Sequence, residues 1–404
     1  MKLTLADYRQ IVGDDVYFDI YSKMRHLYGK HMIHINSTYM GGGVAEILNS
    51  LVPLMNDIGL DAGWRIIHGN VDFFGVTKKF HNALQGQKIN FSQMKKELFV
   101  QVNRRFSTYT HISSHDMVII HDPQPLPLIT FYKKRQPWIW RCHIDLSTPN
   151  KELWDYLKEF ILRYDLIIVS NEKYLGKDLK VDHRIIQPSI DPLTHKNKPI
   201  NGKIIEGALK KQNIPTDKPL VTQISRFDKW KDPVGVVEVF RKIREEFDCR
   251  LVLCGNMATD DPEGLEIYEK IKRMVNKEIQ KREVILVTAE NSILVNALQR
   301  ASAVIFQKSL REGFGLTVTE ALWKEKPVIA SNVGGIPLQI EDGVNGFLCE
   351  PTDNDAFARR AIDILKHPDL GHEMGKKGKK TVLDKFLITR SLSDYLDLLN
   401  DFNH

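Results

Sequence analysis

The sequence predicts an α/β protein with two doubly wound domains in tandem. Its 404 residues exceed what one ordinary core needs, since globular domains typically contain about 100 to 200 residues. Short continuous apolar runs alternate with longer segments of helical periodicity, which is typical of parallel sheets covered by helices on both faces. The alternation is interrupted at residues 192–218, so we expect one domain on each side of that segment.

The first half of the chain opens with a predicted strand at residues 31–37, a glycine turn, and a predicted helix at residues 44–59. Apolar residues recur at helical spacing through the second of these segments. Further strands are predicted at residues 64–69, 117–122, 138–143, 165–170 and 184–189, with helical stretches such as residues 151–164 between several of them. This order indicates a parallel sheet for the first domain.

Residues 192–218 are rich in polar residues and proline, and we predict a domain linker there. The second half then repeats the pattern of the first. Strands are predicted at residues 218–226, 249–256, 283–289, 303–309 and 326–332, and helices at residues 232–247, 293–302 and 316–324. We therefore place the two domains at residues 1–195 and 196–386, followed by a terminal helical segment at residues 387–404.

The composition argues against several classes of protein. With 42% apolar and 27% charged residues, the chain is neither disordered nor collagen-like. The net charge of +6 is spread along the chain, so it permits anionic ligands without indicating a nucleic-acid partner. No apolar run can span a membrane, no helix has the basic border of a membrane-surface segment, and the N-terminus turns acidic before a signal-peptide core can form. We expect a cytoplasmic protein without a membrane partner.

The cysteines indicate no disulfide framework. None of the four belongs to a C-x-x-C pair, and a large intracellular chain does not need cross-links, so we expect them to be reduced and mostly buried. They are Cys142, Cys249, Cys254 and Cys349.

Ligands of doubly wound sheets bind in the loops at the carboxyl ends of the strands. Three glycines occupy one of these predicted loops. Gly41, Gly42 and Gly43 lie between the first predicted strand and the helix after it. Their backbone N–H groups can cradle an anion or a sugar, because no Cβ blocks a close approach. A tight turn without a ligand is the other interpretation, and the spacing leaves both open.

Cations follow the first predicted strand of the second half. This strand ends at Arg226, and the turn after it carries Lys229 and Lys231. Asp232 as N-cap and Pro233 at an early helical position are predicted to start the next helix. Two cations beside a helix N-terminus can hold a diphosphate and neutralise the charge that develops when it leaves. Solvated surface cations are the alternative.

Histidines end two neighbouring strands of the first half. Arg141 and His143 close the run WIWRCH, and His121-Asp122 closes the strand before it. A neutral histidine at such a place can hydrogen-bond a substrate hydroxyl. A structural, hydrogen-bonded histidine is the alternative, and in a chain with 14 histidines it is favoured on the residues alone.

Two carboxylates flank a glycine turn in the stretch REGFGLTVTE. Glu312 follows a predicted strand, Glu320 lies in the next predicted helix, and residues 313–315 separate them as Gly-Phe-Gly. Glu320 also fits a capping box that begins at Thr317, in which it would only satisfy a backbone donor. Glu312 has no such structural explanation. Two acceptors for diols around a phosphate-binding turn indicate a nucleotide-sugar site.

No metal site is predicted. The letters D-x-D occur at Asp353-Asn354-Asp355, but they precede a predicted helix and are interpreted as helix capping. The basic run at residues 376–380 lacks the glycine spacing of a phosphate loop and is interpreted as a solvated helical face.

Two of these motifs together resemble the retaining family 4 glycosyltransferases of the GT-B fold. They are the E-x7-E pair of Glu312 and Glu320 after the strand AVIFQKS, and Arg226 and Lys231, five residues apart in SRFDKWK. Segments of the first half narrow the resemblance to the trehalose glycosyltransferring synthases, with the trehalose phosphorylases as close relatives. These segments are INSTYMGGGVAEILNSLVPLMNDIG, GNVDFFGVTKKFHNALQG, HDPQPLPL, WRCHIDLSTPN and QPSIDPL. The resemblance covers nearly the whole chain.

The resemblance implies two Rossmann-like domains with the active site in the cleft between them. Residues 1–195 would form the acceptor-side domain, onto which the terminal helix packs back, and residues 196–386 would bind the nucleotide sugar. The implied reaction transfers α-glucose reversibly, with retention, from nucleoside diphosphate glucose to glucose and gives α,α-trehalose without a cofactor. A homodimer is left open.

The resemblance also implies roles for individual residues. His143, Arg226, Lys231 and Glu312 would be catalytic, with same-face attack guided by the leaving phosphate. The donor would be bound by Gly42, Gly43, Arg226, Lys231, Glu312, Gly313, Phe314, Gly315, Leu316 and Glu320, the last of which would hold the ribose. One departure is Asp232, since many members have glycine after the phosphate-binding lysine, and it brings a negative charge close to the diphosphate.

Two alternatives stay open. In a trehalose phosphorylase, inorganic phosphate would occupy the site of Arg226 and Lys231, and Glu320 would have no ribose to hold. A noncatalytic GT-B protein would bind a sugar or a nucleotide without reaction, and the complete set of implied site residues argues against it.

Overall fold

The computed structural model describes residues 3–176, 178–255, 262–288 and 291–402 of the chain. The chain divides into two compact units: unit 1 is Met1–Ser189 with Ile388–His404, and unit 2 is Ile190–Leu387. Each unit contains a sheet of six strands. Unit 2 begins at Ile190, earlier than the boundary predicted after residue 195. Ile190 belongs to unit 2 because it pairs with Leu387 in a parallel bridge and donates its N–H to Phe386 O at 2.9 Å.

The sheet of unit 1 is parallel, and its strand order is β2-β1-β3-β4-β5-β6. Its strands are β1 (His31–Asn36), β2 (Asp61–Ile66), β3 (Met117–His121), β4 (Trp138–Arg141), β5 (Leu166–Val169) and β6 (Asp182–Ile185). The chain moves from β1 to one side of the sheet and returns to the other side at β3. The strand order therefore reverses between β1 and β3, which is where ligands of such sheets bind.

Buried apolar residues hold these strands between helices. The helices are α1 (Leu5–Met24), α2 (Gly43–Asp57), α3 (Val71–Leu84), α4 (Gln93–Ser107) and α5 (Lys151–Ile161). The strands β3 and β4 are buried throughout, as the continuous apolar runs predict. The strand β6 begins earlier than predicted, because its residues are mostly exposed and the apolar run starts only at its end.

The sheet of unit 2 is also parallel, with the order β12-β11-β10-β7-β8-β9. Its strands are β7 (Leu220–Ile224), β8 (Arg250–Cys254), β9 (Val284–Val287), β10 (Val304–Gln307), β11 (Val328–Ser331) and β12 (Phe347–Cys349). Here the strand order reverses between β7 and β10, so the loops after these two strands meet at the expected ligand position. Both units thus have the predicted doubly wound α/β architecture.

The helices of unit 2 cover its sheet and form its rim. They are α6 (Gly202–Lys211), α7 (Pro233–Glu246), α8 (Pro262–Met274), α9 (Asn276–Gln280), α10 (Ser292–Ala301), α11 (Leu316–Trp323), α12 (Asn354–Lys366) and α13 (Pro368–Lys385). The basic run at residues 376–380 lies within α13 and is mostly exposed around the buried Gly378, as predicted.

The predicted linker at residues 192–218 is wrong, because this segment belongs to unit 2. Its helix α6 packs on α10 through a small apolar cluster that includes Leu209 and Leu298. Only Leu209 of α6 is buried, so the segment resembles a polar linker in composition although it has a packed face.

The terminal segment forms α14 (Ile388–Asp401), which packs against α1 and α2 of unit 1. Lys23 of α1 donates to Asp397 at 2.7 Å, and Asn400 donates to Lys23 O at 2.9 Å. Residues 256 and 289 of the predicted strands, and residues 403 and 404 of the predicted terminal helix, lie outside the described residues.

The four cysteines are buried and unpaired, and burial raises the pKa of the Cys249 thiol to about 11. Within the described ranges, no helix is both long enough and apolar enough to cross a bilayer.

Candidate functional site

The loop after β7 is shaped by Asp228. Its carboxylate accepts from Trp230 N at 2.6 Å, which starts a short 3-10 turn over Lys229–Lys231, and from Arg226 Nη2 at 3.2 Å. Arg226 therefore has a defined direction although half of its side chain is exposed, at 51%. A fixed but accessible guanidinium is suited to a doubly charged ligand.

Asp232 starts α7, as predicted. It has a left-handed backbone, with φ of 42°, and its Oδ1 accepts from Gly235 N at 3.1 Å, while Pro233 follows at the first helical position. Its Oδ2 forms an ion pair with Lys308, whose side chain is 1% exposed and also donates to Pro351 O at 2.9 Å. The negative charge of Asp232 is thus compensated by a cation of the same unit.

The loops after β7 and β10 meet in one ion pair. Lys231 Nζ lies 2.5 Å from Glu312 Oε2, and the side chains are 17% and 10% exposed. The same oxygen accepts from Gln307 Nε2 at 2.9 Å and from Ser309 Oγ at 3.1 Å. The Glu312 carboxylate is therefore held beside Lys231 at the point where the strand order of unit 2 reverses.

The turn at residues 313–316 leads from Glu312 into α11, and hydrogen bonds hold its backbone against residues 335–339. Gly315 has a φ of 85° and is the N-cap of the helix, which begins at Leu316. Gly335 N donates to Gly313 O at 3.1 Å, and Gln339 Nε2 donates to Phe314 O at 2.6 Å. A Cβ on Gly335 would lie 2.8 Å from Gly313 O, so only glycine lets these two segments approach.

Glu320 does not form the capping box that the sequence offered as an explanation. The helix starts at Leu316 with Gly315 as its N-cap, so Glu320 lies beyond the residue that closes such a box. Its carboxylate, 3% exposed, instead accepts from Lys196 Nζ at 3.1 Å and from Gln299 Nε2 at 3.4 Å. Lys196 was not among the predicted site residues, because it lies in the segment predicted as a linker.

The glycine run of unit 1 forms an exposed turn. Gly41 and Gly42 have φ of 73° and 86°, Gly42 is the N-cap of α2, and Gly43 is its first residue. These angles account for two of the glycines by backbone conformation alone. The first N–H groups of α2 face solvent there, so both interpretations of the run agree with the structure.

His143 belongs to a row of three histidines in unit 1. His143 Nε2 lies 3.1 Å from His121 Nδ1, and His121 Nε2 lies 3.0 Å from His34 Nδ1. His34 and His121 are buried and His143 is half-buried. Burial lowers the pKa of His143 and of His121 well below the usual value, and the nearby Arg141 cation lowers both further. The three rings are neutral at pH 7. His34 was not among the predicted site residues.

Arg141 lies buried beside this row. It is 2% exposed, and Nη2 donates to Ser170 Oγ at 3.3 Å, whereas Nε and Nη1 have no hydrogen-bond partner among the residues that the structure describes. Arg141 lines a small pocket of unit 1 together with Val44, Ile47, Leu48, His121, His143, Ile186, Gln187, Pro188, Ser391 and Tyr395. The pocket therefore combines a cation that has two such nitrogens with the neutral rings of His121 and His143.

Asp122 fixes the backbone of His143. Its φ is 61°, and its Oδ1 accepts from His143 N at 2.8 Å. Burial raises the pKa of Asp122 to about 6, although the hydrogen bond from His143 N and the Arg141 cation both oppose this. The ionised carboxylate is thus a destabilising element of the folded protein at neutral pH.

We expect Asp122→Asn to stabilise the protein increasingly as the pH rises from about 4 to about 6, and by a constant amount above pH 6. In the unfolded chain the carboxyl group ionises near pH 3.9, whereas in the folded protein it ionises near pH 6, so the wild type loses up to about 3 kcal/mol across this window. Asparagine tolerates the left-handed backbone and keeps an acceptor. Thermal unfolding of both proteins from pH 4.5 to 8 measures the difference; a difference that does not change with pH contradicts the raised pKa.

The D-x-D letters cap a helix, as predicted. Asp353 accepts from Ala356 N at 2.8 Å at the start of α12, and Asp355 pairs with Lys242 at 2.7 Å. In the described part of the chain, no group of three or more His, Cys, Asp and Glu residues is arranged to hold a metal ion.

Known families match most of the chain. Residues 34–176 match the family described as "Trehalose synthase, N-terminal domain", and residues 205–381 match "Glycosyl transferases group 1". The first range contains the histidine row and Arg141. The second contains Arg226, Lys231 and the Glu312–Glu320 segment.

Individual proteins extend this similarity over the full length. The chain is 48% identical to the trehalose synthase of Thermococcus litoralis, over 98% of this chain and 97% of that protein. It is 29% identical to the trehalose phosphorylase of Pleurotus pulmonarius, over 94% of this chain but only 58% of that protein. Among solved structures, the sucrose-phosphate synthase of Thermosynechococcus elongatus superposes with a TM-score of 0.72 at 18% identity, covering 92% of this chain and 99% of that chain. The fold is therefore that of the GT-B glycosyltransferases.

Proposed function

Because the chain belongs to the trehalose synthase family of glycosyltransferases, we propose that it transfers glucose from nucleoside diphosphate glucose to the anomeric hydroxyl of a second glucose. The product is α,α-trehalose, the donor's anomeric configuration is retained, and the reaction runs in both directions. The observation that carries this proposal is the Lys231–Glu312 ion pair where the strand order of unit 2 reverses.

In this proposal, unit 2 binds the donor. The exposed guanidinium of Arg226 and the ammonium group of Lys231 bind the diphosphate, since both follow β7 beside the N-terminus of α7. An ammonium group has three N–H donors, and Glu312 uses one of them, so the others are available for phosphate oxygens. The two cations stabilise the nucleoside diphosphate as it leaves, which is the step where negative charge develops.

Glu312 has two tasks in the same site. It orients Lys231 through their 2.5 Å contact, and its carboxylate accepts hydrogen bonds from hydroxyls of the donor glucose. Its Oε2 accepts from Lys231, Gln307 and Ser309, so the group is oriented before the sugar binds. The residues 313–316 lead from Glu312 into α11, and their backbone N–H groups are proposed donors to the nucleotide sugar. Gly42 and Gly43 are proposed to let the backbone at the start of α2 approach the diphosphate or glucose.

Retention follows from attack on the same face of the sugar as the leaving group. The bond between the anomeric carbon and the phosphate oxygen breaks, and the bond to the acceptor oxygen forms on that face. The departing phosphate oxygen accepts the proton of the acceptor hydroxyl, so the proton and charge balance without an enzyme nucleophile. Catalysis is then mainly placement and charge stabilisation, for which His143, as a neutral ring, is a suitable hydrogen-bonding partner of the sugar.

Product identification tests this function. Purified protein is incubated with trehalose and either a nucleoside diphosphate or inorganic phosphate, and the glucosylated product is identified. We expect nucleoside diphosphate glucose to form with the nucleoside diphosphate, and no glucosylated product to form with inorganic phosphate. Glucose 1-phosphate from inorganic phosphate alone establishes a phosphorylase instead, and no product from either contradicts both activities.

The variant Glu320→Gln also distinguishes a synthase from a phosphorylase, because only the synthase has a ribose for Glu320 to hold. If Glu320 holds the ribose, losing its charge weakens a charged hydrogen bond worth about 1.5–3 kcal/mol, which raises the KM for the nucleoside diphosphate about 10- to 100-fold with less change in kcat. Glutamine keeps an acceptor for Lys196, so little stability is lost.

Steady-state kinetics with varied nucleoside diphosphate, alongside thermal unfolding, measures this effect. The control is Glu246→Gln. It removes a carboxylate at the end of α7 that forms an exposed pair with Lys366 of α12, and it is expected to change neither KM nor kcat. An unchanged KM in Glu320→Gln contradicts the ribose role and leaves Glu320 as a structural partner of Lys196.

A further inference from the structure

Three histidine rings of unit 1 form a continuous row from the sheet interior to the pocket. His34 lies in β1, His121 ends β3, and His143 follows β4. These strands are neighbours in the sheet, where His34 pairs with Ile119 and His121 pairs with Arg141. Each histidine therefore lies two residues further along the strand direction than the one before, and the row runs diagonally towards the carboxyl ends of the strands. The ring nitrogens are 3.0 and 3.1 Å apart along the row, which are hydrogen-bond distances.

The neutral state of the rings restricts where their protons lie. Each neutral imidazole carries one ring proton, and burial keeps all three rings neutral by lowering their pKa. The middle ring, His121, has a neighbour at both nitrogens and can donate at only one of them. Both hydrogen bonds must therefore run in the same direction, either from His34 towards His143 or from His143 towards His34.

The buried end of the row distinguishes the two directions. His34 Nε2 is buried without a hydrogen-bond partner among the described residues, and the ring of Tyr395 faces His34 edge-on at 6.0 Å. If the bonds ran towards His34, this nitrogen would carry an unsatisfied buried N–H, which is rarer in proteins than an unsatisfied acceptor. If the bonds run from His34 towards His143, His34 Nε2 carries only a lone pair, so this direction is favoured. His143 Nε2 then accepts from His121 Nδ1, and the ring proton of His143 lies on Nδ1.

We propose that His34 and His121 are positioning residues that hold His143 as the tautomer with its proton on Nδ1, so that His143 presents a donor to its ligand. The ring is oriented at Nε2 by His121, and its backbone is held by the 2.8 Å contact of His143 N with Asp122. That the ligand is a sugar oxygen rests on the proposed function; the tautomer itself does not.

Nitrogen NMR of the full-length protein labelled with ¹⁵N-histidine tests the tautomer without any assay of activity. Because protonated and bare ring nitrogens resonate apart, each ring reveals which nitrogen carries its proton. The three rings are assigned from spectra of His34→Asn, His121→Asn and His143→Asn. We expect Nδ1–H at all three. Protonation of His143 at Nε2 and of His34 at Nε2 overturns the proposal.

Two substitutions at His34, to side chains of nearly the same shape, test how the His143 tautomer affects the reaction. The amide of His34→Asn can still donate to His121 Nε2, whereas the carboxylate of His34→Asp only accepts and should reverse both bonds. We expect His34→Asp to move the His143 proton to Nε2 and to lower kcat about 100-fold, with a smaller change in KM, as for loss of a positioned proton donor.

His34→Asn is expected to keep the His143 tautomer and most of the activity. Equal loss of kcat in both variants with the His143 proton still on Nδ1 shows a purely structural role for His34 and overturns the proposal. Failure of the proposed function has a different signature, since the wild type then gives the expected spectrum but no transfer product.

Discussion

Lys231→Met is expected to lower kcat about 100- to 1,000-fold, the effect of removing one preorganised group that stabilises developing charge. Methionine keeps the unbranched stem and removes only the ammonium group, which contacts Glu312 at 2.5 Å. The effect should appear mainly in kcat, because the nucleoside diphosphate carries its greatest charge as it leaves. Initial rates over a range of donor concentrations give kcat and KM separately.

The same variant is also expected to be less stable, because Glu312 is left as a nearly buried charge without its cation. Breaking such a pair costs about 3 kcal/mol, the lower end of the range for buried pairs, since both side chains keep some exposure. The double variant Lys231→Met/Glu312→Gln removes the stranded charge, and its melting temperature should recover while kcat stays low.

The matched control is Lys242→Met, which removes an ammonium group from an exposed pair with Asp355 in the same unit. Exposed pairs contribute about 0–1 kcal/mol, so this variant should resemble the wild type in stability and in kcat. If activity returns together with stability in the double variant, Lys231 has a structural role only and the assignment to the diphosphate is wrong.

Lys308→Met is expected to destabilise the protein by about 3 kcal/mol and to weaken donor binding. The Lys308 side chain is 1% exposed, and it is the cation that neutralises Asp232 at the start of α7. Without it, the Asp232 charge faces the proposed diphosphate site uncompensated and should raise the KM for the nucleoside diphosphate about tenfold through charge repulsion. Thermal unfolding and donor-dependent kinetics measure the two effects.

The double variant Lys308→Met/Asp232→Gly should recover much of both losses. Glycine suits the left-handed φ of 42° at this position, and it removes the stranded carboxylate at the expense of a side-chain cap worth only a few tenths of a kcal/mol relative to glycine. Lys366→Met, which breaks an exposed pair with Glu246, serves as the control. A KM that stays high in the double variant indicates that Lys308 acts on the donor directly.

The fold class, the order of the strands along the chain and most candidate residues of unit 2 could be predicted without coordinates. Continuous apolar runs follow from burial of a parallel sheet on both faces, so they are visible without coordinates. Helix starts at Asp232 and Asp353 were predictable for a similar reason, because a cap and its helix are neighbours in sequence. In each of these cases, the interaction that sets the structure involves residues that are close together in the sequence.

The pairs of distant side chains that form ion pairs or hydrogen bonds could not be predicted in this way. Lys196 and Glu320 are 124 residues apart, Asp232 and Lys308 are 76 apart, and His34 and His121 are 87 apart. Their contacts depend on the order and register of parallel strands, which join segments that are remote in the chain. The linker predicted at residues 192–218 was wrong for this reason, and so was the capping box that the sequence offered as an alternative explanation of Glu320. Local composition fitted both, and the packing that overrules them lies elsewhere in the sequence.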